Sequence, residues 1–224
     1  MPARLVFPDA QAAADLLTFA SRATRLGDGA VRLQASNGTV VMTAAPLAPR
    51  GLFDTTPTVL GMRALPIDPE LVCDLVVDAA VLAADPADPS AVVLPEAALS
   101  APWAGVSPPR GGWSVTGQVA ASVLAARAQW GIAAVAEAVP RDAGEDAVRA
   151  VRAEVWGPPD DALDALPLGA AFAAFALGFI AGEETAEIRA SGSWRRLSLS
   201  RGHVVVRGPA RTGLTAVRAT GSSA

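Results

Sequence analysis

The chain has 224 residues, 51% of them apolar and only 18% charged, with a net charge of −4. A chain of this size and composition buries enough apolar surface to fold without disulfides or metals, which excludes disorder as a whole-chain state. Its net acidity speaks against nucleic acid or anionic membrane as a partner of the whole surface.

The basic residues are all arginine and tyrosine is absent, a bias that GC-rich codon usage explains without a functional demand. Cys73 and His203 are the single cysteine and the single histidine. Together they exclude an internal disulfide and a Cys/His metal site, so no metal and no cofactor are expected. Cys73 lies in an apolar stretch with no cationic neighbour and reads as a small buried hydrophobe. No secretory signal is evident. The longest uncharged apolar stretch, residues 166–182, is interrupted by Pro167, Gly169 and Gly178. It falls short of the roughly 20 strongly apolar residues of a bilayer span and reads as a buried helix. The cytoplasm is the expected compartment.

In chain order, residues 4–7 suggest a short strand. Asp9 then caps a helix over 10–26, with Ala12, Leu16, Phe19, Ala20 and Ala23 on one face. Two alternating runs flank Asn37-Gly38, the pair that favours a type I′ turn. A two-residue loop there sets Ser36 opposite Thr39, Ala35 opposite Val40, Leu33 opposite Met42 and Val31 opposite Ala44. Turn chemistry and alternation thus give one register. After a Pro/Gly-rich connection over 46–57, residues 58–67 read as a strand. Asp68-Pro69-Glu70 resembles a helix start, so residues 71–77 are expected to be helical, although their alternation also suits a strand. A short strand at 91–94 and a loop over 102–112 follow.

The middle reads as helical. A helix is expected over 116–138, with Val119, Val123, Ala126, Trp130 and Ala133 inward. A second is expected over 143–156, with Val148, Val151 and Val155 inward and Glu145, Asp146, Arg149 and Arg152 toward solvent. A third, over 168–181, is apolar nearly all round and belongs at the centre of a core, with Phe172, Phe175 and Phe179 along one face. Residues 187–190, 194–200 and 203–207 form a terminal β-meander in which a loop at Arg201-Gly202 pairs Leu199 with Val204. Residues 209–224 are small and polar and read as a frayed tail. A helix followed by paired strands occurs at 10–45 and again at 168–207. The echo is architectural, without a shared motif, and leaves room for a duplicated fold of the kind that ring-forming DNA clamps use.

Chemistry is sparse. Without lysine there is no P-loop lysine, and Gly27-Asp28-Gly29 follows a helix rather than a strand, the wrong context for a dinucleotide loop. A Ser/His/Asp triad would need His203, for which no orienting third group is evident. Asp74 and Asp78, four apart, read as the wet side of a helix. Two features stand out. The loop from Trp103 to Trp113 brackets Arg110 with two tryptophans and suits either a ligand-gating loop or a pinned connection. From Glu187 onward arginines dominate, and Arg189, Arg195, Arg196, Arg201 and Arg207 could form an anion-binding face on the terminal meander, or else protect an exposed sheet edge or pair with acidic helices.

The segments PWAGVSPPRGGW (102–113), VRAEVWG (151–157), ALGFI (176–180) and SWRRLSLSRGHVVVR (193–207) resemble a family of uncharacterised proteins from high-GC actinobacteria. The resemblance covers roughly residues 100–208 and implies no activity, ligand or catalytic residue.

The sequence therefore leads to an α+β fold. Antiparallel sheets from N- and C-terminal hairpins or meander pack with three central helices, in one domain over 1–208 or two packed halves, 1–100 and 101–208. The expected function is a soluble binding or scaffold protein without catalytic machinery, with a homo-oligomer as one way to cover its apolar excess. The alternatives are an anionic small-ligand binder or enzyme with its site at Trp103, Arg110, Trp113, Arg195, Arg196 and His203, and nucleic-acid binding through the terminal arginines.

Overall fold

The computed structural model describes residues 3–51 and 53–208; the tail expected at 209–224 lies outside them. Strand β1 (Arg4–Val6) leads into helix α1 (Ala10–Ala23), whose first turn is closed by Asp9 accepting from the Ala12 amide at 2.8 Å. Leu16, Phe19, Ala20 and Ala23 are buried, as their spacing predicts. Strands β2 (Ala30–Ser36) and β3 (Thr39–Leu47) form the hairpin in the register that the turn implies, from Ser36 opposite Thr39 to Val31 opposite Ala44. Asn37 and Gly38 both have positive φ, 50° and 73°, the requirement of a type I′ turn. Strand β4 (Thr58–Pro66) follows the connection.

The helix expected over 71–77 is instead strand β5 (Cys73–Asp78), paired antiparallel with β2. Asp68 uses its carbonyl and carboxylate to turn the chain at Leu71 and Glu70, so Pro69 opens a turn rather than a helix. The alternation of residues 73–78 then places Val77 in the core and Asp74 beside Arg32. Strands β6 (Ala83–Asp85) and β7 (Asp88–Val93) pair, and β7 also pairs with β1, in a three-stranded sheet against α1.

The helix expected to begin at residue 116 begins at Ala121. Residues before it form strand β8 (Ser114–Ala120), and α2 runs Ala121–Ala138. Its buried side is Ala121, Leu124, Ala128 and Gly131, while Trp130 is 54% exposed, so the predicted face was the wrong one. A helix apolar on most sides has no period to read. What turns it is Gly131, where a Cβ would lie 2.2 Å from Cζ3 of the buried Trp156. Helix α3 (Glu145–Trp156) carries that tryptophan. Two-residue strands β9 (Pro159–Asp160) and β10 (Leu166–Pro167) follow.

Helix α4 (Gly169–Ala176) is shorter than expected; the chain leaves it through Gly178 at φ 70°. Phe172 and Phe179 are buried, but Phe175 is 38% exposed, so the three phenylalanines do not share one fate. Phe179 lies beyond the helix and stacks on Phe19 of α1, ring centroids 6.3 Å apart.

The meander comprises β11 (Thr185–Ser191), β12 (Trp194–Leu199) and β13 (Gly202–Arg207). Its second hairpin turns one residue earlier than expected, at Ser200-Arg201. Leu197 therefore faces Val204, and Leu199 faces Gly202. The cause is Phe179, whose ring occupies the space a Cβ on Gly202 would fill, 2.6 Å from its Cε1. The shift is even, so inward and outward faces are kept.

Eight strands make one antiparallel sheet in the order β5-β2-β3-β4-β13-β12-β11-β8. Each half is a three-strand meander entered from a helix, α1 before β2 and α4 before β11, and the halves meet along β4 and β13. The echo seen in the sequence is thus an approximate two-fold relation about the β4/β13 seam. Across seven of the eight strands, from β5 to β11, the buried row beneath the helices reads Val77, Val31, Ala44, Gly61, Val204, Leu197 and Ile188. The adjacent row, on the opposite face, reads Val76, Arg32, Thr43, Met62, His203, Ser198, Glu187 and Gln118. The sheet thus separates an apolar helical side from an outer side that mixes polar groups with a smaller apolar cluster.

Candidate functional site

The segment from Leu99 to Trp113 straps this outer side. The Leu99 amide donates to the Val76 carbonyl at 2.7 Å, and Arg32 donates from Nη1 to the Ala104 carbonyl at 2.5 Å. Arg32 also grips Asp74 with two parallel bonds of 2.8 and 2.7 Å. Such a fork favours both charged forms. Asp74 holds Arg32 more firmly protonated, and Arg32 holds the Asp74 carboxyl below its ordinary range. Cys73, next to it, is half-buried, and that burial pushes its thiol up.

Trp103 is buried in a small apolar cluster with Leu60, Trp194 and Val205, and its Nε1 donates to Asp28 at 2.9 Å. Trp113 packs at the edge of the same cluster and donates to the Pro109 carbonyl at 3.0 Å. The guanidinium of Arg196 lies over the Trp113 ring, 4.7 Å from its centroid, close enough for cation–π attraction. His203 is diagonal to Arg196 on the same face, through the Arg196–Val205 and Ser198–His203 pairs. Burial, and then Arg189, lowers the Arg196 pKa; burial, and then Arg196, pushes the His203 imidazole below its ordinary value.

Of the six residues nominated from sequence, Trp103, Trp113, Arg196 and His203 share this face. Arg195 points the other way from β12 and bonds the carbonyl and carboxylate of Asp164. Arg110 is exposed on the strap. Two other arginines of the meander are also engaged: Arg189 donates to Glu187 at 2.6 Å, and Arg207 lies 5.8 Å from the Trp194 ring centroid.

Sequence reasoning missed the concave part of the molecule. A cavity of about 350 Å³ opens on the far side of Trp103, between the end of β3, its following loop and α3. Its charged lining is Asp28, Arg50, Glu145, Arg149 and Arg152. The helical periodicity of α3 assigned Arg149 and Arg152 to solvent, and Arg50 sits in a Pro-rich connection. No local pattern could have joined them, because the junction is made by tertiary packing.

The fold is similar to that of a solved DNA sliding clamp. The DnaN sliding clamp (DNA polymerase III subunit beta) of Bartonella birtlesii superposes with a TM-score of 0.50 at 14% identity, over 94% of this chain and 66% of that one. The chain therefore spans just under two thirds of that clamp's length. The clamp of Caulobacter crescentus gives 0.48 at 13% identity, over 98% and 69%. DNA polymerase III subunit beta of Borrelia burgdorferi gives 0.49 at 8% identity, over 92% and 64%. In sequence, residues 1–105 match the family described as Domain of unknown function (DUF8010), and residues 108–211 match Domain of unknown function (DUF8185). The chain thus carries two domains of unknown function in tandem. No curated protein is similar to it in sequence. Among the described residues, no helix is long and apolar enough to cross a membrane.

Proposed function

We propose that this chain is a non-catalytic scaffold of the clamp type that assembles with copies of itself through β8. The observation that carries the reading is the state of that edge. A free edge strand presents unpaired backbone groups, and proteins that stay monomeric blunt it with charge, proline or a covering segment. The other edge of the large sheet, β5, carries Asp74 and Asp78 and is met by the Leu99 amide. In the three-stranded sheet, edge β1 carries Arg4 and edge β6 carries Asp85. Strand β8, SVTGQVA, has neither charge nor proline, and Val115 on it is 54% exposed. The clamp-like architecture supports an assembling role, and the continuous sheet has the rigidity that a scaffold needs.

Sedimentation and light scattering test this. The chain is expected to run as a dimer or larger closed assembly, and Val115→Lys, a charge placed on the edge, should release folded monomer. A wild-type chain that stays monomeric at high concentration would sink the reading.

A second reading keeps an anionic small ligand on the outer face at Trp113, Arg196 and His203. It is favoured by Arg196 Nε and Ser198 Oγ, which are buried side by side without a hydrogen-bond partner. A cytoplasmic setting is part of both readings. The expectation against nucleic acid gains no support from a fold shared with DNA polymerase clamps; a salt-dependent shift of labelled DNA is its direct measure.

A further inference from the structure

The cavity beside Trp103 has the chemistry of a site. Two guanidiniums on its wall, Arg50 and Arg152, make no ion pair among the described residues. Arg149, by contrast, is held by Glu145 at 2.5 Å and Asp146 at 2.6 Å. Asp28, the other acid in the wall, is already spent on the Trp103 Nε1 and the Ala30 amide. The acids present therefore do not answer Arg50 and Arg152, and the pocket has a net attraction for an anion. The rest of the wall is apolar and stiff. Leu47 and Val148 face it, and Pro46, Pro49 and Pro102 fix the backbone around it. A second hollow of about 200 Å³ shares Arg50, Pro49, Pro102 and Trp103 with the first, so Trp103 lines both.

We infer that this cavity binds a small organic anion, with its charged group between Arg50 and Arg152 and its apolar body against Val148 and Trp103. The size suits a single small molecule. Bidentate arginine favours phosphate or carboxylate over other anions. The site joins the loop after β3 to α3, so occupancy would tie the N-terminal half of the chain to the C-terminal half. It is independent of the self-association at β8.

Calorimetric titration of the full chain with phenyl phosphate, benzoate and inorganic pyrophosphate tests the proposal. One-to-one saturable binding of phenyl phosphate or benzoate is expected, and whichever of the two binds tighter identifies the charged group. Pyrophosphate, lacking the apolar body, should bind more weakly. Arg152→Gln and Arg50→Gln should each weaken binding by about tenfold, the loss of one charge-assisted hydrogen bond. Their unchanged melting temperatures would separate loss of the site from loss of the fold. No saturable binding of either aromatic anion, pyrophosphate binding at least as well, or binding untouched in both variants would overturn the assignment.

Discussion

At the scale of single residues, the polar outer face rests on charge placement. His203 sits diagonal to Arg196, and its folded pKa lies below the ordinary 6.5, first through burial and then through that arginine. The unfolded chain therefore takes up a proton at a higher pH than the folded one. Stability contributed by neutral His203 is complete above about pH 6.5 and is lost as pH falls from there toward the lowered folded value. Because His203 is the single histidine, an NMR titration reads it without ambiguity. Its pKa is expected below the ordinary value and should rise part of the way back in Arg196→Gln, since burial remains. A wild-type value at or above 6.5 would refute the geometry on which this rests.

At the scale of elements, burial decides which aromatic groups matter. Phe179 is fully buried, stacked on Phe19 and lodged over Gly202. Phe175, one turn earlier, is 38% exposed on α4. Deleting a buried phenylalanine costs about 3–5 kcal/mol, cavity included. Phe179→Ala is expected to lose that much in denaturant unfolding, and Phe175→Ala less than about 1.5 kcal/mol, the scale of a mild core change. Comparable losses in the two variants would mean that α4 packs otherwise. The exposed side of α2 follows the same logic in reverse. Trp130 stays at the surface, with Arg127 lying 4.6 Å from its ring centroid, because Gly131 is the position that admits Trp156.

At the scale of the whole molecule, the β4/β13 seam joins two halves that share one apolar core. Val59 of β4 and Val206 of β13 pair across it, and Leu177 fills the space above Gly61 from the other half. A half made alone would expose that seam as a free edge and leave Phe19 without Phe179. Residues 1–105, which match one family by themselves, are therefore expected to be unfolded or aggregated when produced separately and to regain β-structure on mixing with residues 106–224. Circular dichroism of the two pieces, apart and together, measures this. A stable, cooperatively melting first piece would show that the halves fold independently.

Where conformational preference is local, the sequence was legible. Asn37-Gly38 with alternating flanks specified the β2–β3 hairpin to the register, and Asp9 with a 3.6-residue period specified α1 and its buried face. The α+β class and the helix-then-meander echo followed from the same signals. One candidate-site contact was also legible in outline, since its two partners, Trp113 and Arg196, both stand out in the sequence. Other features belong to long-range packing. Residues 73–78 and 114–120 are strands because β2 and β11 offer them a ladder, against local cues that also allow a helix. The orientation of α2 was hidden because an Ala/Val-rich helix is apolar on most sides, so the facing tryptophan chooses the side. The Arg50–Arg152 cavity was invisible for a related reason. Its walls come from segments a hundred residues apart, and only the closing of the two halves brings like charges together around an apolar hollow.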